Sequence, residues 1–363
     1  MKCQLIVCAL LSTPGVWAQS SFQSMVVNTA DGQTHTFSIE AVDSVTFSHE
    51  PPVQRNKWYF MLENPGIADY LRDFEYDPED YSYHHIYDYR GEPYLDKRQD
   101  WPYGVTLGDT TYYNLIPGRT YTLGYVADGA SHPVTIHTLG QLRMIRAEGI
   151  NNIRDLGGWP TADGRHLRYG LLYRGTEMNT RLASLDVERH SAHSITEADR
   201  RLMRQDLGIR AELDLRLSAE IPAADASPLG PDIAYGHYAI DHTDISSANS
   251  QLLLVRCLRF INTQLAASHP IYIHCVWGAD RTGVLCMLLE GLLGVSQSDL
   301  DKDFELTSFS RDTRFRNNDN YLRALRQVKA LSDQSLQQQF RSWWIAAGAN
   351  DHDLDTFIAL MTE

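Results

Sequence analysis

Cysteine is scarce in this chain of 363 residues, which contains only five. We expect three of them, Cys257, Cys275 and Cys286, to remain in the mature protein. Three cysteines are too few for a disulfide framework. The sequence also lacks a CxxC pair, an HExxH motif and the GxxxxGK[ST] loop of nucleotide-binding proteins, which excludes the commonest zinc and nucleotide sites. We therefore predict no metal and no cofactor.

Positive charge is also in deficit, with 32 Lys and Arg against 46 Asp and Glu and a formal net charge of -14. This balance argues against nucleic acid and anionic membranes as main partners. Arginine is nevertheless concentrated between residues 154 and 216. We expect most of these side chains to be solvated and one or two to line a pocket for an anionic substrate.

Long apolar runs are missing beyond the N-terminus, so no later segment is long enough to span a bilayer. Residues 1–18 have the pattern of a signal peptide, with a lysine, an apolar run and the small-x-small cleavage site VWA. We therefore expect an exported protein, either periplasmic or secreted. A lipid anchor is disfavoured but stays open, because Cys8 follows a valine rather than a small residue.

The chain before residue 141 has the pattern of β structure. Residues 19–56 predict a short β segment, with a hairpin signal in the sequence ADG. Residues 57–140 are rich in Tyr, Trp, Asp and Pro, and the strand patterns TYTLGY and PVTIHT predict an all-β sandwich domain. The stretch NLIPGRTY, residues 114–121, resembles the L-x-P-x-x-x-Y corner of fibronectin-III-like sandwiches.

Strands alternate with helices in residues 141–363, which predicts a parallel sheet flanked by helices. Ligands of such sheets bind beyond the carboxyl ends of the strands. The whole chain is thus predicted to be a multidomain α/β protein. The predicted strands are 167–174, 209–215, 233–240 and 271–273, and the predicted helices are 196–208, 247–267, 284–293, 295–306, 320–331, 335–346 and 353–361.

The stretch IYIHCVWGADRTG, from Ile271 to Gly283, has the strongest functional signal. A buried strand, a tight loop with Gly278 and a helix N-terminus make an anion site, because successive N–H groups point inward and the helix dipole adds positive charge. Arg281 can close the ring with a planar fork that matches two phosphate oxygens. The same field favours the thiolate of Cys275, which is the nucleophilic form. These residues predict phosphoryl transfer through a phosphocysteine intermediate.

Three motifs resemble the protein tyrosine phosphatase superfamily, and together they cover about residue 149 to the C-terminus. HCVWGADRTG is similar to its signature loop His-Cys-x5-Arg-Thr/Ser-Gly, and Asp280 resembles the bacterial branch whose loop reads HCxxGKDRTG. That branch contains tyrosine, dual-specificity and phosphoinositide phosphatases. NNIRDLGG at residues 151–158 is similar to its NFRDLGG, and DLRLSAE at residues 214–220 to its DLRxxxE. Ala279 departs from the pattern, because the branch usually has a charged Lys there.

Residue chemistry and the resemblance together imply roles for these positions. Cys275 is predicted to be the nucleophile and Arg281 to hold the phosphate and the transition-state charge. We expect His274 to orient the loop by hydrogen bonds or to be purely structural. Thr282 either donates its hydroxyl to the Cys275 sulfur or caps the helix, and both can hold. The predicted bracing residues are Asp214, Arg216, Arg154 and Asp155, and the predicted phosphate-binding residues are Val276, Trp277, Gly278, Ala279, Asp280 and Arg281.

The general acid that protonates the leaving oxygen is less well specified. Such a group contributes roughly 10²- to 10⁴-fold to the rate, but no Trp-Pro-Asp sequence is present to supply it. The resemblance implies Asp280, which lies within the loop. Asp241, on the strand-end segment before the long helix, is the second candidate, and Asp244 is the third.

The predicted function is a metal-free, cysteine-dependent phosphomonoester hydrolase, and the resemblance implies a protein tyrosine or dual-specificity phosphatase. Its partner would be a phosphorylated protein or a small phosphomonoester. The first alternative is an inositol phosphate or phosphoinositide phosphatase. A binding-only pseudophosphatase is weakly favoured by Ala279. A rhodanese-type sulfurtransferase would also hold an anion in a cysteine loop, but the Arg-Thr-Gly ending argues against it.

Overall fold

The structure, a computed structural model, describes two parts of the chain: short β segments before residue 139 and most of residues 143–363. The predicted signal peptide, residues 1–18, lies outside the described residues, as does most of the segment 39–104. The described residues are 24–28, 34–38, 85–87, 93–96, 105–107, 110–127, 129–138, 143–179, 194–221, 226–241, 244–309, 314 and 318–363.

Among the described residues, four antiparallel strand pairs precede the α/β part. The predicted hairpin around the sequence ADG is confirmed, since β1 pairs with β2 there. Tyr121 Oη accepts a hydrogen bond from the N–H of Ile116 at 2.9 Å, the local contact expected of a tyrosine corner. The fibronectin-III-like sandwich stays a prediction. The pairs are β1 (Ser24–Asn28) with β2 (Thr34–Ser38), β3 (His85–Tyr87) with β4 (Pro93–Asp96), β5 (Val105–Leu107) with β6 (Thr110–Tyr112), and β7 (Thr120–Ala127) with β8 (Ala130–His137).

A six-stranded mixed sheet forms the centre of the α/β part, with the strand order β13-β12-β14-β11-β10-β9. The prediction of a parallel sheet is right for β11 to β14 and wrong for β9 and β10, which pair antiparallel. A parallel pairing needs a crossover, usually a helix, and residues 143–172 contain none. The strands are β9 (Arg143–Met144), β10 (Arg154–Asp155), β11 (Leu172–Gly175), β12 (Ala211–Asp214), β13 (Ala234–His237) and β14 (Ile271–His274).

The helices largely follow the predicted apolar periods. Helix α1 begins with the predicted capping box, in which Thr196 and Asp199 bond reciprocally, and it continues as a π-helical turn, Leu202–Asp206. Within the described part of the chain, every helix is too short or too polar to cross a bilayer. The helices are α1 (Glu197–Arg201), α2 (Ala248–Ala266), α3 (Asp280–Leu292), α4 (Gln297–Glu305), α5 (Asp319–Lys329), α6 (Leu336–Ala346) and α7 (Asp351–Met361).

The central sheet is buried on both faces, as the alternation of β14 shows. Ile271 and Ile273 belong to the larger core cluster, formed with α2 to α7, whereas Tyr272 points to the smaller cluster on the side of α1. Among the described helices, α3 is the most buried, since eleven of its thirteen residues are buried. Because β14 and α3 are both packed in the core, the two ends of the loop that joins them are held in place.

The carboxyl ends of the parallel strands meet at one edge of the sheet. Register pairs the last residue of β14, His274, with Gly175 of β11 on one side and with Asp214 of β12 on the other. Asp214 is in turn paired with His237, the last residue of β13. Because strand ends in α/β sheets are where ligands bind, this edge is the expected place of a functional site.

Candidate active site

The Cys275 loop, residues 275–280, joins β14 to α3 as the sequence predicts. Gly278 has φ of +61°, and a Cβ built there would lie 2.1 Å from the carbonyl oxygen of Gly175. Only glycine therefore fits this position. Cys275 is buried and carries a free thiol. Helix α3 starts at Asp280, four residues earlier than the prediction, so the last residue of the loop already forms its first turn.

Two side chains hold the carbonyl groups on the outer side of this loop. The Nδ2 of Asn152 donates to the carbonyl oxygens of Trp277 and Gly278 at 3.1 and 3.2 Å. The Nη2 of Arg174 donates to those of Gly278 and Ala279 at 2.8 and 3.3 Å. In addition, the N–H of Glu177 donates to the carbonyl of Val276 at 3.0 Å.

Four consecutive carbonyls, from Val276 to Ala279, thus point away from the centre of the loop. In a trans peptide the N–H of the next residue points the opposite way. The N–H groups of residues 277–280 therefore face inward, as in an anion-binding nest at a helix N-terminus.

A buried ionic network lies behind the loop and aims these two side chains. Asp303, on α4, accepts from Arg154 Nε at 2.7 Å and from Arg174 Nη1 at 2.5 Å. Arg154 Nη1 donates to the Oδ1 of Asn152 at 2.6 Å, which fixes the orientation of that amide. Burial raises the pKa of Asp303, but the two guanidinium groups outweigh it and lower the pKa, so the carboxylate stays ionised.

Arg281, in the first turn of α3, is held by a carboxylate of the DLRxxxE motif. Its Nη1 and Nη2 donate to the two oxygens of Glu220 at 2.6 and 3.1 Å. Partial burial raises the pKa of Glu220, but the hydrogen bonds from Arg281 outweigh it and the net shift is downward. The pair is therefore ionised on both sides and fixes the direction of the guanidinium plane.

His274 is fully buried directly before Cys275, and both of its ring nitrogens face acceptors. Nε2 lies 2.9 Å from an oxygen of Glu212, and Nδ1 lies 3.1 Å from the carbonyl oxygen of Cys275. Burial lowers the pKa of His274, but the carboxylates of Asp214 and Glu212 outweigh it and raise the pKa. An imidazolium that donates from both nitrogens satisfies this geometry.

Asp214 and Arg216 form a second braced unit next to this histidine. Arg216 contacts both oxygens of Asp214, at distances down to 2.7 Å, and donates to Glu177 at 3.0 Å. The N–H of Glu177 donates to the carbonyl of Val276, so Asp214 and Arg216 are connected to the loop through Glu177. Burial raises the pKa of Asp214, but His274 and Arg216 lower it well below its usual range.

The side chains of Glu212, Asp214 and His274 bring three potential metal ligands within 4.8 Å of one another. The Nη2 of Arg216, 2.7 Å from Asp214, places a guanidinium charge against the carboxylate that a cation would use. The contacts thus describe a hydrogen-bonded charge network.

A family model described as the tyrosine phosphatase family matches residues 145–346, which is more than half of the chain. The chain belongs to the tyrosine phosphatase family. Residues 274–283, 151–158 and 214–220, which carry the sequence resemblance, all lie within the matched region. Among curated proteins, none matches this chain.

The solved structures that match this family member have low identity to it and low TM-scores. The core catalytic domain of the PP-IP phosphatase SIW14 from S. cerevisiae, in complex with citrate, is 15% identical, with a TM-score of 0.31, and the match covers 47% of this chain and 93% of that one. TpbA from P. aeruginosa is 15% identical, with a TM-score of 0.32 and coverages of 53% and 97%. A structure of the Siw14 catalytic core is 16% identical, with a TM-score of 0.30 and coverages of 54% and 89%.

The three candidate acids have different surroundings in this phosphatase-family chain. Asp280 is engaged by Arg314, whose Nε and Nη2 donate to its two oxygens at 2.9 Å each. Asp244 accepts from the N–H and hydroxyl of Ser246, and these bonds lower its pKa. Asp241 is exposed on the segment that follows β13. The hydrogen bonds of Asp244 favour its ionised form, whereas Asp280 is held by an ion pair with Arg314.

Two predicted residues have contacts other than those expected. Thr282 does not cap α3, because the N-cap is Ala279, and its buried hydroxyl has no hydrogen-bond partner among the described residues. Asp155 does not contact the Cys275 loop. It accepts from Arg143 at 3.1 Å and from the N–H groups of Gly157 and Gly170, so it holds the loop of its own motif.

Sequence reasoning missed several residues that contact the site. Asn152 and Glu220 stood inside recognised motifs without an assigned role. Arg174 is one of the many arginines between residues 154 and 216, and its place at the end of a predicted strand is a usable signal. Glu212 lies two residues before Asp214 and so on the same face of β12. The missed residues are Asn152, Arg174, Glu177, Glu212, Glu220 and Asp303.

Proposed function

We propose that this protein is a cysteine-dependent phosphomonoesterase, most specifically a protein tyrosine or dual-specificity phosphatase. The observation that carries the proposal is the outward orientation of the four loop carbonyls, which turns four N–H groups toward one centre next to Cys275. Four inward donors at the start of a helix match a tetrahedral oxyanion. Family membership supports the same chemistry.

The reaction proceeds in two steps. The thiolate of Cys275 attacks phosphorus, the bond to the leaving oxygen breaks, and a phosphocysteine forms. Water then attacks phosphorus and the thiolate leaves as inorganic phosphate is released. Arg281 can hold phosphoryl oxygens with the N–H groups that Glu220 does not use, and the inward N–H groups stabilise the charge on the equatorial oxygens.

Protonation of the leaving oxygen is assigned to Asp280, with Asp241 as the second candidate. Asp280 can approach the leaving oxygen only after its ion pair with Arg314 opens, because both of its oxygens accept from that guanidinium. Binding of a phosphate dianion next to Arg281 favours this opening, since Arg314 then has a second anion to approach. Asp241 is exposed on the segment that follows β13.

A substrate with a single phosphate group is favoured by the charges around the loop. Between Cys275 and Arg281 the side chains are Val, Trp, Gly, Ala and Asp, so the loop contributes no cation of its own before Arg281. The described cation beside it, Arg314, is already shared with Asp280. Several phosphates on one ligand would need a broader basic surface, so an inositol phosphate is the second candidate. A binding-only protein would retain the same nest without turnover.

The test is hydrolysis of an aryl phosphate by residues 20–363, with EDTA and reductant present. We expect activity that persists in EDTA and disappears in Cys275→Ser. The matched control is Cys257→Ser, which removes a thiol that burial in α2 keeps protonated by raising its pKa. Phosphotyrosine peptides should then be cleaved faster than phosphoserine peptides and inositol phosphates. A reduced, folded wild-type protein without activity on any of them would refute the proposal.

We also propose that the chain is exported and that residues 57–140 form a fibronectin-III-like module. The basis is the sequence pattern of residues 1–18 and the corner at Tyr121. N-terminal sequencing of the mature protein should begin near residue 19, and a mature N-terminus at residue 1 would contradict export through this signal.

A further inference from the structure

Arg174 is a fully buried arginine that contacts the loop from behind. It is the third residue of β11 and its side chain is completely inaccessible to solvent. Its Nη2 donates to the carbonyl oxygens of Gly278 and Ala279, at 2.8 and 3.3 Å, and its Nη1 to Asp303. Among the described residues, it is the side chain that reaches both of these carbonyls.

The strand that carries Arg174 also fixes the loop by its backbone. Gly175 lies next to Gly278, with so little space that a Cβ on Gly278 would come within 2.1 Å of the Gly175 carbonyl oxygen. Gly283, in the first turn of α3, is similarly close, since a Cβ there would lie 3.2 Å from Arg174 Nη2. The guanidinium is therefore enclosed between β11, the loop and α3, and it cannot change position without displacing the loop.

The charges behind the loop do not balance. Two guanidinium groups, Arg154 and Arg174, share the single carboxylate of Asp303. The other acid nearby is Glu290, on α3. Burial and the Asp303 carboxylate raise its pKa, which holds it in the neutral form. Burial likewise raises the pKa of the Cys286 thiol to about 12, so it adds no charge. One positive charge thus remains, in a region of low dielectric constant where its field is weakly screened.

We propose that Arg174 is a positioning residue that sets the oxyanion affinity of the Cys275 loop. This inference rests on the proposed function. Arg174 has two effects on the same centre. It helps to keep two carbonyl dipoles turned outward, together with Asn152 at Gly278 and the helical N–H of Gly283 at Ala279, so that the N–H groups of residues 279 and 280 face the anion. It also belongs to a buried cluster behind the loop in which two guanidinium groups share the carboxylate of Asp303, whereas the loop's own side chains include no cation before Arg281.

The test is binding of tungstate to the full chain, measured by calorimetry, because it does not depend on turnover. We expect Arg174→Gln to weaken binding by about 10- to 100-fold, the usual effect of losing hydrogen bonds from a charged donor. Arg174→Lys, which keeps the charge but not the fork, should retain part of the affinity. The matched control is Arg204→Gln, because Arg204 also donates to a carbonyl, that of Leu229, and to a carboxylate, that of Asp232, at a site outside the loop.

Circular dichroism and thermal unfolding separate a loss of affinity from a loss of structure. If Arg174→Gln does not fold, the tungstate affinity of Arg174→Lys alone tests the proposal. Folded variants of both kinds that bind tungstate as tightly as wild type would overturn the proposal, as would equal weakening by Arg204→Gln. A wild-type protein that binds no tungstate would overturn it too. If wild type binds tungstate but hydrolyses no phosphomonoester, the proposed function fails while the role of Arg174 in anion binding stands.

Discussion

The two terminal nitrogens of Arg281 bind the two oxygens of Glu220 at 2.6 and 3.1 Å. Glu220 is the last residue of the DLRxxxE motif, which follows β12, and Arg281 lies in the signature loop HCVWGADRTG. The pair therefore joins two of the three family motifs. An arginine side chain has many rotamers, and a bidentate partner removes most of them before the substrate arrives. The orientation of the Arg281 guanidinium is thus fixed before the substrate binds.

Glu220→Gln is therefore expected to lower kcat/KM by about 10- to 100-fold, because one charge-assisted bond is lost and the guanidinium becomes mobile. Stability should change by less than about 1 kcal/mol, since the pair is partly exposed. Steady-state kinetics on an aryl phosphate measure the effect. Glu197→Gln, at a far more exposed acid, serves as the control. Unchanged kinetics in Glu220→Gln would show that Arg281 orients itself without help.

The close approach of Gly278 to Gly175 predicts a large effect of a single methyl group. Gly278→Ala adds a Cβ in left-handed backbone, which costs about 1–2 kcal/mol, and also a contact with a carbonyl that cannot move away. Oxyanion binding and activity should both be lost. Gly164→Ala is a matched control, because Gly164 also has positive φ but an added Cβ would meet nothing within 4 Å. An equal loss of oxyanion binding and activity in the two variants would mean that backbone strain alone, and not the contact with Gly175, causes the loss.

The core of the site was predictable from local sequence. A short apolar strand, a glycine and an apolar helix follow one another between residues 271 and 293, so their order dictates the strand-loop-helix unit. The partners of that unit were not predictable. Arg174 and Asp303 are separated by 129 positions, and nothing in either neighbourhood indicates the other. The early start of α3 was missed for a local reason, since Ala279 caps the helix without a side-chain signal.

The pairing of His274 with Glu212 predicts a stability that depends on pH. The pKa of His274 is raised above its unfolded value near 6.5, because Asp214 and Glu212 outweigh the effect of burial and of Arg216. A raised pKa contributes stability that is fully present below the unfolded value and is lost as pH rises through the folded value. The contribution is about 1.4 kcal/mol for each pH unit between the two values.

In Glu212→Gln the imidazolium loses its carboxylate, so this contribution should shrink. We expect the difference in unfolding free energy between wild type and variant to be largest near pH 6 and to narrow toward pH 9. Urea denaturation across this range measures it, and Glu197→Gln, at an exposed position, gives the baseline. A difference that does not vary with pH would mean that His274 is neutral in the folded protein.

The ion pair of Asp280 with Arg314 makes the assignment of the general acid testable. If Asp280 protonates the leaving oxygen, Asp280→Asn should lower kcat/KM by roughly 10²- to 10⁴-fold for an alkyl phosphate, whose leaving group needs a proton. The loss should be small for an aryl phosphate with an acidic phenol, which leaves without one. Asp241→Asn is the matched variant. If Asp241 is the acid, this variant should instead show the large loss on the alkyl phosphate and the small loss on the aryl phosphate.

Arg314→Gln sharpens the same test, because it removes the guanidinium that holds both oxygens of Asp280. If Asp280 is the acid, the alkaline limb of the pH–rate profile should move when this ion pair is removed. With Asp241 as the acid, the same substitution should leave the alkaline limb in place. Loss of activity on both alkyl and aryl phosphates in Asp280→Asn would instead assign Asp280 to the structure of the loop, since proton donation alone distinguishes the two leaving groups.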